Sequence, residues 1–352
     1  MQITELRAEN FRLFETLNLR FSRSPVVFTG DNAAGKTSLL EMLYSLGRGR
    51  SFRAQGHGEL AGPRARCWTV FARTCDEHGL DHGLGVRWAD QALVQRVDTQ
   101  AASAVELLKR LPLQILEPGM HRVLEDGPTY RRSFIDWGVF HVEQSFMPTW
   151  RRYRRALRQR NQVLRQRGSD RELAVWEPEL AEAGQSLHRQ RLAHVEALRP
   201  ELERLVAEWL PDKALGLELQ PGWAGTDLMA SLVDGRERDR RLATTAIGPH
   251  RAELRMRVDA HGARGRISRG QQKLLLASLL LAQCAQIRGQ VGVQPTLLID
   301  DFAAELAPGF QQWLLAQLMS YAGPVFISNF DRGPFASAAC EMFHVEHGTV
   351  RA

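Results

Sequence analysis

Apolar and polar positions change period along this chain, and each change marks an element. Near the amino terminus Ile3, Leu6 and Ala8, then Leu17, Leu19 and Phe21, are spaced as in two half-buried strands. The run Pro25-Val26-Val27-Phe28-Thr29 is mostly apolar and ends at a glycine, which predicts a short strand buried on both faces. Beyond Gly35 the period becomes helical through Leu39, Leu40, Met42, Leu43 and Leu46, with Gly47 placed to cap the helix. Residues 67–73, 84–88 and 92–97 are strand-like runs separated by Gly- and Asp-rich turns, the pattern of an antiparallel subdomain.

From Phe146 the texture is helical. Trp150, Tyr153, Leu157 and Leu164 fall on one face, Gly168-Ser169-Asp170 reads as a turn, and Leu198, Leu202, Leu205 and Trp209 continue at spacings of four, three and four. Two helices of about 20 and 30 residues make an antiparallel arm about 30–45 Å long. Pro200 is expected to kink the longer one. Strand-like runs return at 215–219 and 252–258, and from Ile267 helix and apolar strand alternate. The pattern predicts an α/β domain of residues 1–118 and 242–352, split by a helical arm domain of residues 119–241.

Composition narrows the class. The chain has 352 residues, enough for about two domains, with 44% hydrophobic and 24% charged positions. Its four cysteines stand far apart with no CxxC pair, which suits a reducing compartment better than a disulfide or zinc scaffold. Charge is frequent in residues 1–7, so no signal or transit peptide is expected there. No run of about 18 apolar residues occurs, so no membrane segment is expected. A net charge of +6 permits a polyanionic partner. Of 46 basic residues only Lys36, Lys109, Lys213 and Lys273 are lysines, so each lysine departs from the chain's habit.

Gly30-Asp31-Asn32-Ala33-Ala34-Gly35-Lys36-Thr37 satisfies GxxxxGK[ST] and stands between the predicted buried strand and the predicted helix. In such a loop, which Ser38 follows, backbone N–H groups and the helix terminus cradle phosphates. Lys36 reaches the β and γ oxygens, and Thr37 supplies a magnesium ligand. Thr296-Leu297-Leu298-Ile299-Asp300-Asp301 is a buried-strand pattern ending in two acids. Beside the phosphate loop Asp300 is placed to hold magnesium and Asp301 to polarise an attacking water. Ser268-Arg269-Gly270-Gln271 opens a leucine-rich helix before that strand; read alone it is a capped helix start, and its place between the phosphate loop and the two acids points instead to another anion-binding terminus.

In this order the motifs resemble the ATP-binding-cassette heads of the SMC-like group, and within it the RecF family of bacterial DNA repair proteins. Asn10-Phe11-Arg12, Gly49-Arg50-Ser51-Phe52-Arg53, Pro112-Leu113-Gln114-Ile115, Tyr130-Arg131-Arg132-Ser133-Phe134-Ile135-Asp136, Gly248-Pro249-His250-Arg251 and Asp300-Asp301-Phe302 carry the resemblance over nearly the whole chain. It implies an ABC-type ATPase head with an antiparallel β subdomain and an inserted helical arm. It also implies ATP and Mg2+ as cofactors, with Gln114 sensing magnesium and the attacking water and Arg12 near the phosphates. Ser268, with Gly270 and Gln271, would contact the γ-phosphate held by the opposite subunit of an ATP-dependent homodimer. Slow, DNA-stimulated hydrolysis would reset the dimer. The family's setting is the cytoplasm and the SOS-linked repair of single-strand gaps and junctions, where recombinase loading involves mediators of the RecO/RecR type. No histidine follows residues 325–328, which leaves Ser328 or Asn329 as the switch residue.

Residues 151–167 hold eight arginines and no acid. Arg151, Arg154, Arg155 and Arg158 are the candidates for tracking DNA phosphates, against the alternative of a solvated face. Cys75, His78 and His82 have metal-like spacing, but Gly79 interrupts them and a fourth ligand is missing. A transporter ATPase subunit and a structural SMC-type linker share the head motifs. The basic arm argues against the first, and its shortness without a CxxC hook argues against the second.

Overall fold

The computed structural model describes residues 1–259 and 267–352 and, for backbone alone, 261–262. It divides into two units, the first comprising Met1–Met120, Arg269–Leu280 and Gly292–Ala352 and the second His121–Ser268 and Leu281–Val291. The first unit opens with β1 (Gln2–Phe11), β2 (Phe14–Arg20), β3 (Val26–Thr29), α1 (Lys36–Arg48), β4 (Trp68–Cys75), β5 (Asp81–Ala89), β6 (Ala92–Val97), β7 (Gln100–Ala101), α2 (Ala104–Arg110) and β8 (Leu113–Leu116). The second contains α3 (Arg122–Glu125), α4 (Pro128–Val142), α5 (Phe146–Arg165), α6 (Asp170–Ala207), β9 (Leu215–Gln220), α7 (Leu228–Asp234), α8 (Arg236–Leu242), β10 (Glu253–Val258) and β11 (His261–Gly262). The helix α9 (Arg269–Val291) is divided between the units, and β12 (Thr296–Ile299), α10 (Pro308–Ser320), β13 (Val325–Ser328), β14 (Glu341–Glu346) and β15 (Thr349–Arg351) complete the first.

Two sheets share one core in the first unit. The antiparallel sheet has order β2-β1-β4-β5-β6-β7, and the other has order β15-β14-β3-β13-β12-β8 with β3, β8, β12, β13 and β14 parallel. All four residues of β3, β8, β12 and β13 are buried, which is why these strands read as short apolar runs rather than alternating ones. Helix α1 packs on both sheets, and Leu39, Leu40, Met42, Leu43 and Leu46 lose all exposure there. Phe11 meets Trp68 edge-on at 5.3 Å within the same core.

The helix end differs from the sequence expectation. Gly47 lies inside α1, where a Cβ would come within 2.4 Å of the Leu113 side chain, and Gly49 at φ 62° forms the cap by donating its N–H to Ser45 O. A glycine in the last turn of a helix serves close packing as readily as capping.

In the second unit α5 and α6 form the helix pair that the spacing predicts, with 20 and 38 residues. Ser169 caps α6 reciprocally with Glu172, and the helix continues as one element through Pro178 and Pro200. The sequence pattern puts a boundary after residue 241, whereas the structure carries the second unit on to Ser268. The reason is strand pairing: β10 is antiparallel to β9 along its whole length, from Glu253 opposite Gln220 to Val258 opposite Leu215. Among the described residues α9 alone is long and apolar enough to cross a membrane, and two-thirds of its apolar window is buried within the fold.

Candidate nucleotide-binding site

The loop between β3 and α1 requires two of its glycines. Gly30 has φ 144° and a Cβ there would sit 2.1 Å from the Val345 carbonyl oxygen, while Gly35 has φ 118° and faces the Phe14 ring. Lys36 begins α1 and is buried, with Nζ donating to Gly30 O at 2.6 Å and Asp31 O at 2.7 Å. Burial holds its ammonium below the ordinary lysine range, opposed by the charges of Asp301, Asp300 and Asp31. The side chain thus lies curled over its own loop, with Asp31 and Asn32 exposed, Ala33 exposed at φ 64°, and Ala34 and Ser38 buried.

Three parallel strands bring the acids to this loop. Thr37 Oγ1 donates to Asp300 Oδ1 at 2.9 Å, and Ser328, at the end of the strand between β3 and β12, donates to the same oxygen at 2.6 Å. Ser328 Oγ also accepts from the Asp301 N–H at 2.9 Å. Burial pushes the Asp300 carboxyl up, against the pull of the Ser328 and Thr37 hydrogen bonds. Asn329 Oδ1 accepts from Ala303 N at 3.2 Å, one step further along the loop. Of the two candidates for the switch position, Ser328 is the one bonded to both acids.

Lys273, on the first turns of α9, was conspicuous in sequence only as a lysine among arginines. Its buried Nζ donates to the carbonyls of Asp301, Phe302 and Ala304, and burial pulls it down to about 8. Of the signature residues, Ser268 is exposed and Gly270 and Gln271 are partly so.

Gln114 lies on β8 opposite Leu297 of β12. Its amide oxygen accepts from Arg48 Nη2 at 3.3 Å, so it is held at the end of α1 opposite to Lys36, and the structure does not bring it to Thr37 and Asp300 as the resemblance implies. Arg48 is pulled down to about 10 by its burial. Arg12 is committed to a buried partner, since Nε and Nη2 each donate at 2.9 Å to the carboxylate of Glu41 and Nη1 donates to Glu59 O. Glu41 also accepts from Ser51 Oγ. Arg12 lines a groove of about 610 Å³ together with Asn10, Phe14, Arg64 and Cys67. Glu41 and Arg48 are not marked in the sequence beyond being an acid and an arginine on the leucine-rich part of α1.

The arm arginines separate into spent and available charges. Arg160 is wholly buried between Glu177 and Asp239, and Arg152 pairs with Glu179 and Glu182 on α6. Arg151, Arg154, Arg155 and Arg158 are exposed and make no ion pair among the described residues. Their spacing of three, one and three puts them on one face of α5, and Arg154 lies over the Trp150 ring at 5.1 Å. Trp150 is partly buried, Tyr153 and Leu157 fully so, consistent with packing rather than base stacking. His82 lies between Asp76, Asp98 and Arg110.

A model of the AAA domain matches residues 5–46, which span β1 through most of α1. The chain is 36% identical over 358 residues, covering 99% of both chains, to the DNA replication and repair protein RecF of Edwardsiella ictaluri (strain 93-146). It is 38% identical over 328 residues, 92% of this chain and 91% of the other, to the protein of that name from Thioalkalivibrio sulfidiphilus (strain HL-EbGR7). Among solved structures, the recombination mediator protein RecF-ATP in the RecFOR pathway superposes with a TM-score of 0.88 over 99% of this chain and 97% of that one, at 22% identity. An Smc head bound to the C-winged helix domain of ScpA gives 0.63 at 15% identity, over 100% and 96% of the two chains. Both share the ABC-type head fold described above.

Proposed function

The chain belongs to the RecF family of DNA replication and repair proteins, and from that membership we propose that it is an ATP-gated clamp for DNA. Bound ATP closes two copies around two shared nucleotide sites, the closed dimer engages DNA at single-strand gaps or junctions, and slow hydrolysis reopens it. The observation that carries this reading is the hydrogen-bonded chain Thr37–Asp300–Ser328–Asp301 drawn across the strand ends beside Lys36.

When nucleotide enters, Lys36 exchanges the carbonyls of Gly30 and Asp31 for the β and γ oxygens, and the N–H groups opening α1 receive the phosphates. The donor set of Thr37 hydroxyl and buried Asp300 carboxylate suits a hard divalent cation. Mg2+ bound there supplies charge neutralisation of the β and γ oxygens. Asp301, partly exposed and next in the chain, takes the proton of the attacking water. Arg12 is held by the carboxylate of Glu41 on α1, and nearby Phe14 lays its ring against Gly35 of the phosphate loop. Ser268, Gly270 and Gln271 cap the γ-phosphate held by the partner head, which explains a signature turn that is exposed in one copy.

Arg151, Arg154, Arg155 and Arg158 supply phosphate contacts to DNA, and cytoplasmic mediators of the RecO/RecR type act with the clamp in loading recombinase during the SOS-linked response. The test is binding to gapped DNA with ATP, with ADP and without nucleotide. Tight binding only with ATP is expected. Equal binding in all three states would overturn the gate while leaving DNA affinity intact.

A further inference from the structure

The first turns of α9 and the loop after β12 are fastened together inside one head. Lys273 Nζ donates to Asp301 O at 2.6 Å, Phe302 O at 3.1 Å and Ala304 O at 2.9 Å, which occupies all three of its protons. One turn earlier, Gly270 lies so near the Glu305 carbonyl that a Cβ would stand 2.9 Å from its oxygen. Asp301 and Glu305 have φ of 50° and 63°, left-handed conformations that a non-glycine residue keeps only with support from its surroundings. A compact ammonium with three radiating donors can hold three carbonyls of one turn, which a planar guanidinium cannot match. In a chain that otherwise uses arginine, this is a chemical reason for lysine at position 273.

We propose that Lys273 is a positioning residue for ATP hydrolysis: it clamps the turn that carries Asp301 and so sets where that carboxylate meets the attacking water. The proposal rests on the reading of Asp301 as the general base of hydrolysis and of residues 268–271 as the cap on the partner's nucleotide. In that arrangement the start of α9 serves one site and Asp301 of the same head serves the other. Lys273 is therefore the mechanical link between them.

Mixed dimers locate the effect. A Ser268→Arg chain and a Lys36→Ala chain, each inactive alone, form a mixed dimer with one intact site. That site takes its phosphate loop and Asp301 from the first chain and its cap from the second. Lys273→Met is added to one chain or the other, and phosphate release is measured at saturating ATP. On the Ser268→Arg chain it should lower the recovered rate at least 30-fold. On the Lys36→Ala chain it should leave the rate within threefold, and a fluorescent ATP analogue should bind the Lys273→Met protein as it binds the parent. Loss from the Lys36→Ala side alone would mean that Lys273 serves the cap, and equal loss from both sides would mean general destabilisation. Either result overturns the proposal. No recovered activity before Lys273 is touched would instead overturn the shared-site reading, and the proposal with it. Should the Lys273→Met chain fail to bind nucleotide, Lys273→Gln, whose amide still donates two hydrogen bonds, takes its place with the same outcomes.

Discussion

Replacing Ser328 by alanine removes one oxygen that does two jobs. Its hydroxyl donates to Asp300 Oδ1 at 2.6 Å and accepts from the Asp301 N–H at 2.9 Å. A hydrogen bond to a charged acceptor is worth about 1.5–3 kcal/mol, and a buried N–H left without its acceptor costs about 1–3 kcal/mol. The two losses share one cavity and do not add in full. If that loss of about 2–3 kcal/mol falls on the transition state alone, turnover drops by about 30- to 150-fold, the upper bound of the effect. ATP affinity should change little, because Lys36 and the loop amides make no bond to Ser328. The pH dependence has a definite sign. Burial already raises Asp300, and losing a hydrogen bond that pulls it down raises it further, so the carboxylate is protonated more readily as pH falls. The deficit should therefore be larger at pH 6 than at pH 8. Phosphate release at saturating ATP at both pH values, with Ser328→Thr as the hydroxyl-retaining control, measures this. Turnover within threefold of the parent at both pH values would refute the assignment of Ser328 to the switch position.

Other consequences follow from the same geometry. Asp301→Asn keeps Asp300 but removes the proton acceptor, so ATP should trap a long-lived dimer with turnover reduced at least 100-fold, read by sizing and phosphate release together. Changing Arg151, Arg154, Arg155 and Arg158 together to alanine should flatten the slope of log affinity against log salt by up to about 0.9 for each lost phosphate contact. An unchanged slope would remove the arm from the DNA interface. Burial pushes His194 and His250 down to about 4. The unfolded chain takes up those protons below about pH 6.5 and the folded chain only near pH 4, so stability holds above pH 6.5 and is lost as pH falls through that window. The cost is about 2 kcal/mol per histidine between pH 7 and pH 5. Urea midpoints should show it, and His194→Gln should remove its share.

What could be read from sequence was whatever is local. The phosphate loop, the strand before it, the helix after it and the strand ending in Asp300 each declare themselves within about ten residues. The partners that make the site work come from far along the chain: Thr37 meets Asp300 across 263 positions, Arg12 meets Glu41 across 29, and Lys273 meets Asp301 across 28. No periodicity encodes such pairings. The eight arginines of residues 151–167 looked alike in sequence, and only the packing of α6 and α8 showed that Arg160 is a buried structural ion. The structural division after Ser268 differs from a boundary at residue 241 for a related reason, because strand pairing between β9 and β10 is invisible until the chain has closed.

The proposed clamp requires that ATP, and not ADP, closes two heads. Light scattering of the intact chain in ATP, in ADP and without nucleotide tests it directly, since one copy is 39.7 kDa. Twice that mass is expected in ATP and the single-copy mass in ADP. A mass that is the same in all three conditions would contradict it.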